Sequence, residues 1–240
     1  MRPPRVAICP APDDCPGYYL PANLPPGHPC YDRLVPCACT LSRQAKLLKA
    51  ELPARYHAMT FETFRVEEGN RQALELATRF ARDPWGNGWY WLVLIGANGR
   101  GKTHLAAAIV NAVLDRGELA YFESVPALLD YLRAGYGSQN EGFDRRLDRV
   151  KDAPVLILDD LGAEVHTQTD TPYDSTWAQD KLYQVLDHRL VCELPSVITT
   201  NVPLDMLAPR LSSRLQDKQA ARVRALKTDD KRKAADGQRL

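Results

Sequence analysis

One stretch limits what this chain can fold into: Leu92-Val93-Leu94-Ile95-Gly96-Ala97-Asn98-Gly99-Arg100-Gly101-Lys102-Thr103. An apolar run enters a glycine-rich turn, the turn ends in Lys-Thr, and helical periodicity follows in Leu105, Ala108, Ile109, Ala112 and Val113. This is the strand, loop and helix order that a phosphate-binding G-x-x-x-x-G-K-[ST] loop requires. Gly96, Gly99 and Gly101 let successive N–H groups turn into one concavity, at the positive end of the next helix. Residues 96–104, with Ala97, Asn98, Arg100 and His104 among them, are therefore the candidate polyphosphate cradle. Lys102 would reach the β- and γ-phosphates, and Thr103 would place its hydroxyl on Mg²⁺.

A second stretch has the matching chemistry. Val155-Leu156-Ile157-Leu158-Asp159-Asp160 reads as a buried strand that delivers two carboxylates at its C-terminal end, where parallel sheets bind ligands. Asp159 would hold Mg²⁺ and Asp160 would polarise the attacking water. Ser196-Val197-Ile198-Thr199-Thr200-Asn201 is a further core strand. Asn201 at its end is either a ligand of the γ-phosphate or water, or a turn residue before Pro203. Arg210 and Arg214 lie four apart and would share a helix face, with a neighbouring subunit's phosphate or plain solvent as their target.

The remaining elements fall between these motifs. Residues 41–52 have helical spacing and stop at Pro53; 59–64 read as extended, 70–82 as an amphipathic helix and 83–88 as a turn. Trp89-Tyr90-Trp91 opens the first core strand, and strand packing explains the aromatics better than base stacking. A strand at 119–122, helices around Leu128 and Leu147, a polar loop at 161–176 with Glu164 and His166, and a helix at 177–190 complete the core. From Lys218 onward, Lys and Arg accumulate, which predicts a fraying tail that either touches nucleic acid or only solubilises.

The first 40 residues hold five of the six cysteines among many prolines. Such a segment buries little on its own, and a metal would give it a reason to fold. Cys15, Cys37 and Cys39, with Cys9 or Cys30 as the fourth, are the zinc candidates, and His28 is a weaker one. The alternative is a tail of free thiols. The expected divisions are 1–57, 58–217 and 218–240. The net charge of +1 gives no global field for nucleic acid. No apolar run approaches a membrane span, and Met1-Arg2-Pro3-Pro4-Arg5 has no signal-peptide character, so a cytoplasmic protein is expected.

The run Gly-Ala-Asn-Gly-Arg-Gly-Lys-Thr-His-Leu-Ala (96–106) resembles the Walker A motif of the DnaC/DnaI-type helicase loaders and the related IstB transposition helpers. Val125-Pro-Ala-Leu-Leu-Asp, Leu158-Asp-Asp-Leu-Gly-Ala-Glu and Ile198-Thr-Thr-Asn-Val-Pro-Leu are similar to family signatures in the same order. The resemblance implies an AAA+ α/β fold: a three-layer P-loop NTPase on a five-stranded parallel sheet, assembling into a ring or spiral with ATP between subunits. It assigns Asp159 and Asp160 to Walker B, Asn201 to sensor 1 and Arg214 to the arginine finger, with Arg210 competing. Asp160 stands where many AAA+ proteins carry Glu, and its shorter reach suits a slow switch. The cysteine-rich start is similar to the zinc-binding region of loaders, whereas IstB proteins usually begin with a helical segment. The resemblance thus implies an ATP- and Mg²⁺-dependent primosome component that loads a hexameric replicative helicase on single-stranded DNA. An IstB-like helper of a transposase is the alternative.

Overall fold

Short apolar runs bounded by turns set this architecture. In the computed structural model, residue 15 and residues 18–19, 35–136, 142–162 and 172–229 are described. A two-stranded antiparallel ribbon, β1 (Tyr18–Tyr19) with β2 (Val35–Pro36), leads into helix α1 (Ala38–Glu51) and the short α2 (Ala54–His57). Helix α3 (Arg71–Arg82) precedes the first core strand, β3 (Trp91–Ile95), and α4 (Lys102–Asp115) follows it. Then come β4 (Ala120–Ser124), α5 (Val125–Arg133), α6 (Phe143–Lys151), β5 (Val155–Leu161), α7 (Pro172–Val191), β6 (Ser196–Thr200), α8 (Pro209–Leu215) and β7 (Ala221–Ala225).

The core sheet is five-stranded and wholly parallel, in the order β4-β5-β6-β3-β7. Alternate residues of each strand enter opposite cores, as a two-residue period demands. Trp91, Val93, Leu156, Leu158 and Ile198 pack with α5, α6, α7 and α8. Leu92, Leu94, Ile157 and Val197 pack with α3, α4 and Ala45 of α1. Helices on both faces explain why the central strands are apolar throughout rather than alternating. The expected three-layer α/β arrangement is present. No described helix is long and apolar enough to cross a membrane.

Three expectations need correction. The basic stretch from Lys218 is no tail at its start, because β7 pairs with β3 from Trp91↔Ala221 to Ile95↔Ala225. Ala221 and Val223 pack on one core, Leu226 is buried in the other, and Arg222 lies over the Trp89 ring, 5.8 Å from its centroid. The division near residue 58 is not where packing changes. Ala45 and Tyr56 are buried, and α1 and α2 lie on α4. The polar loop is shorter than read, since Leu161 closes β5 and helix α7 begins at Pro172. Glu164 and His166 fall outside the described residues.

Candidate nucleotide site

The P-loop joins β3 to α4. Gly101 precedes α4 with φ +95°, a left-handed conformation that side chains resist, and a Cβ there would sit 2.9 Å from Phe64 Cε2. Lys102 is buried, and its Nζ donates to the carbonyls of Gly96 at 2.7 Å and Ala97 at 3.1 Å. The ammonium is thus held across the concavity by the loop that would wrap a phosphate chain.

The site's polar centre is Asp159. Its carboxylate accepts from Thr199 Oγ1 at 2.6 Å and from Thr103 Oγ1 at 3.0 and 3.1 Å. Burial raises its pKa. The Thr199 and Thr103 hydroxyls oppose that rise, the charge of Asp160 adds to it and Lys102 opposes it again. An oxygen set of hydroxyl and carboxylate suits Mg²⁺, so Thr103 and Asp159 fit that ion.

The next residue turns sharply. Asp160 has φ +62°, and the β5–β6 register shifts between Leu158 and Leu161. This bulge re-aims the second carboxylate out of the strand. The Asp160 N–H donates to Thr199 Oγ1 at 3.0 Å. A non-glycine residue held left-handed costs on the order of 1 kcal/mol, and such strain concentrates at functional positions.

Asn201, at the end of β6, donates from Nδ2 to Asn98 Oδ1 of the P-loop at 3.3 Å. Its own Oδ1 is buried with no hydrogen-bond partner. A buried acceptor beside the loop fits a donor brought by a ligand or water. The fold therefore brings together Gly96, Asn98, Lys102, Thr103, Asp159, Asp160 and Asn201 from three separate segments.

His104 is placed differently from the expectation. Its Nε2 faces the Thr60 carbonyl at 2.9 Å and Thr63 Oγ1 at 3.3 Å, and its ring meets Phe64 edge-on at 5.2 Å. The imidazole is engaged with residues 60–64, which form a Thr60–Thr63 hydrogen-bonded turn instead of the expected extended lead-in, rather than with the phosphate cradle. His104, Asn111 and Asp115 form one stripe of α4. Asn111 donates to the carbonyls of Tyr56 at 2.8 Å and Met59 at 3.1 Å, and Asp115 pairs with Lys49. Residues 49–64 are strapped along this helix. Sequence reading missed the strap; a polar stripe on an otherwise apolar helix was the available signal.

Arg214 stands apart from the P-loop network. It donates to Asp187 Oδ1 at 2.7 and 2.8 Å and to the Tyr183 hydroxyl at 3.2 Å, both on α7. The Asp187 hydrogen bond raises its already high pKa. Arg210 lies over the same Tyr183 ring, 5.7 Å from its centroid.

A P-loop, an acidic strand end and a polar β6 terminus on one parallel sheet have known counterparts. The sequence profile described as "IstB-like ATP binding protein" matches residues 41–223. The chain belongs to the IstB-like ATP-binding family. It is 27% identical over 160 residues to the replicative helicase loader DnaC of Escherichia coli K12, a match covering 66% of this chain and 62% of DnaC. Against a putative ATP-binding protein in an insertion sequence of Mycobacterium tuberculosis it is 28% identical over 164 residues, covering 68% of this chain and 59% of that one. A crystal structure of DnaI is similar with a TM-score of 0.58 and 25% identity, over 75% of this chain and 94% of that chain.

The cysteine cluster precedes the family match. Sulfur atoms of Cys15, Cys37 and Cys39 lie within 4.8 Å of one another, with Cys39 and Cys15 3.2 Å apart. Cys37 is the residue before α1 and Cys39 lies in its first turn. Three sulfurs at this spacing fit Zn²⁺ once rearranged around it. Cys9, Cys30 and His28 lie outside the described residues.

Proposed function

We propose that this chain is an ATP-dependent loader that places a hexameric replicative helicase on single-stranded DNA, with ATP hydrolysis as a switch. The observation that carries the reading over the transposase helper is the Cys15, Cys37 and Cys39 cluster joined directly to the ATP-binding core. The similarity to DnaC supports the same reading. The insertion-sequence relative from Mycobacterium tuberculosis keeps the second one, an ATP-dependent helper of a transposase.

In the proposed reaction Thr103 and Asp159 would hold Mg²⁺, which would supply positive charge at the phosphates. Lys102 exchanges its loop carbonyls for phosphate oxygens. Asp160 orients the attacking water, and Asn201 turns its free Oδ1 to that water. Arg214 leaves Asp187 to complete the pocket of a neighbouring copy, with Arg210 as the competing finger. The carbonyl partners of Lys102 and the carboxylate partner of Arg214 are resting contacts that this assembly would break. The short Asp160 side chain suits slow turnover.

An aromatic and cationic patch among the described residues offers single-stranded DNA a platform. Tyr136 and Phe143 stack at 4.5 Å, Arg133 lies over Trp177 at 4.8 Å and Lys181 over Phe143 at 5.1 Å. Tyr136 is 57% exposed. Aromatic faces beside cations suit unpaired bases and their phosphates.

The deciding experiment is capture of purified hexameric helicase and, separately, purified transposase by the immobilised chain in ATP and in ADP. Nucleotide-dependent retention of the helicase supports the loader. Retention of the transposase alone overturns it.

A further inference from the structure

Strand β4 is the outer strand on its side of the sheet, with β5 on one edge. Along its other edge runs a groove of about 790 Å³, and all five residues of β4 line it. Leu48 and Tyr56, from α1 and α2, form one wall, and Tyr131 and Val150, from α5 and α6, form the other. The groove therefore lies in the plane of the sheet, between the two helical layers, where a sixth strand would run.

The edge has few of the usual defences. Natural sheets blunt an outer strand with proline, lysine, a bulge or a covering segment. Ala120-Tyr121-Phe122-Glu123-Ser124 contains no proline or lysine, and its pairing with β5 is regular along its length. At about 3.3 Å per residue, five residues of ladder give about 17 Å of backbone edge with no strand partner among the described residues.

The groove's charged lining is two carboxylates, Glu51 and Glu123, and two guanidiniums, Arg55 and Arg149. Among the described residues the Glu123 carboxylate has no hydrogen-bond or ion-pair partner, and burial raises its pKa. The two arginines on the walls are directed to tyrosines: Arg55 donates to the Tyr56 hydroxyl at 2.8 Å and Arg149 to the Tyr131 hydroxyl at 3.1 Å. A part-buried carboxylate between apolar walls is best matched by a cation on an otherwise apolar segment.

We propose that this groove receives an extended segment of a partner protein, which adds to β4 as a sixth strand and sets a lysine or arginine against Glu123. Main-chain pairing would supply the affinity and Glu123 the selectivity, as in other strand-addition sites. The proposal is independent of the nucleotide chemistry.

The test uses the full chain without nucleotide and a fluorescein-labelled peptide alternating valine and threonine around one central lysine. Anisotropy should show saturable binding, and hydrogen exchange should slow at the amides of 120–124. Replacing the peptide lysine by glutamate should weaken binding about tenfold or more, in line with an interfacial charge mismatch. Proline beside the lysine, at the residue whose N–H faces β4, should abolish binding by removing a ladder donor. Glu123→Gln, which preserves shape, should erase the preference between the lysine and glutamate peptides. The proposal is overturned if the lysine peptide does not bind, or if protection appears elsewhere on the chain. It is equally overturned if amides of 120–124 facing the groove are already protected in the free chain, or if Glu123→Gln tightens both peptides alike. That last outcome would make Glu123 a guard against strand addition.

Discussion

Thr199 binds both consecutive aspartates at the end of β5: its hydroxyl donates to Asp159 Oδ1 at 2.6 Å and accepts the N–H of Asp160 at 3.0 Å. One side chain therefore fixes the candidate Mg²⁺ ligand and the bulge that aims the candidate water-positioning group. Thr199→Val keeps the shape and removes both bonds. A hydrogen bond to a charged group is worth about 1.5–3 kcal/mol, so ATP turnover should fall about tenfold to a hundredfold. Thr199 opposes the burial that raises the pKa of Asp159, so its loss raises that pKa further. The acid limb of the rate profile should move to higher pH, which steady-state assays across pH 5–8 would register.

Asp159 also sets a pH dependence of stability. Its folded pKa lies above the reference value of 3.8, with burial as the main cause. The favourable contribution of the group is complete below the unfolded pKa and is lost as pH rises through the folded one. At neutral pH the buried charge is a cost. Asp159→Asn should abolish Mg²⁺-dependent hydrolysis yet raise Tm at neutral pH, and the gain should shrink as pH falls towards about 4. Thermal unfolding of the nucleotide-free chain at several pH values decides it.

Arg189 is fully buried and holds three elements together. It donates to Ser196 Oγ at 2.8 Å, and to the carbonyls of Lys151 at 2.9 Å, Ala153 at 2.7 Å and Pro195 at 2.6 Å. Burial pushes its pKa down to about 9, which still leaves it charged at neutral pH. Arg189→Met strands several buried acceptors at about 1–3 kcal/mol each, so stability should drop by about 3 kcal/mol or more. Urea unfolding measures it. Arg189→Lys should not restore the loss, because an ammonium cannot reach the same fan of acceptors.

If Arg214 acts on a neighbour's phosphate, Arg214→Ala should retain ATP binding and lose about a hundredfold or more in turnover. Arg210→Ala should leave turnover near wild type. Mixing Arg214→Ala with Lys102→Ala should restore part of the activity, because hybrid assemblies contain some complete pockets. No recovery in the mixture would place the arginine's role within its own subunit.

The cysteine cluster should bind about one Zn²⁺ per chain, as a single thiolate-rich centre would. Cys37→Ser and Cys39→Ser should each lose the metal, read by elemental analysis. Chelation should lower the thermal stability of the wild type more than that of either variant.

The P-loop and the acidic end of β5 are legible because their chemistry is local. A glycine spacing and a buried run ending in Asp159-Asp160 are visible without knowing what packs where, and both fell on the expected elements. The α/β class followed from strands alternating with helices, as the sheet bears out. What stayed hidden depends on distant partners. β7 was masked by Arg222 and Arg224, although Ala221, Val223 and Ala225 alternate with them in the two-residue period of an edge strand. His104 looked like part of the loop because it follows Thr103, yet the ring serves Thr60 and Phe64. Arg189 carries no signal in the sequence, and only the approach of β6 and the α6–β5 turn accounts for its burial.

The strap along α4 gives that helix a second role. Lys49, Tyr56, Met59 and Thr60 are fastened to it at Asp115, Asn111 and His104, and Phe64 lies against the glycine that opens it. Fourteen residues at about 1.5 Å each make a rod of about 21 Å, gripped at both ends. A tilt begun at the end of α4 that would face phosphate would have to work against these fastenings, so the candidate nucleotide site and the contacts with α1 belong to one braced element.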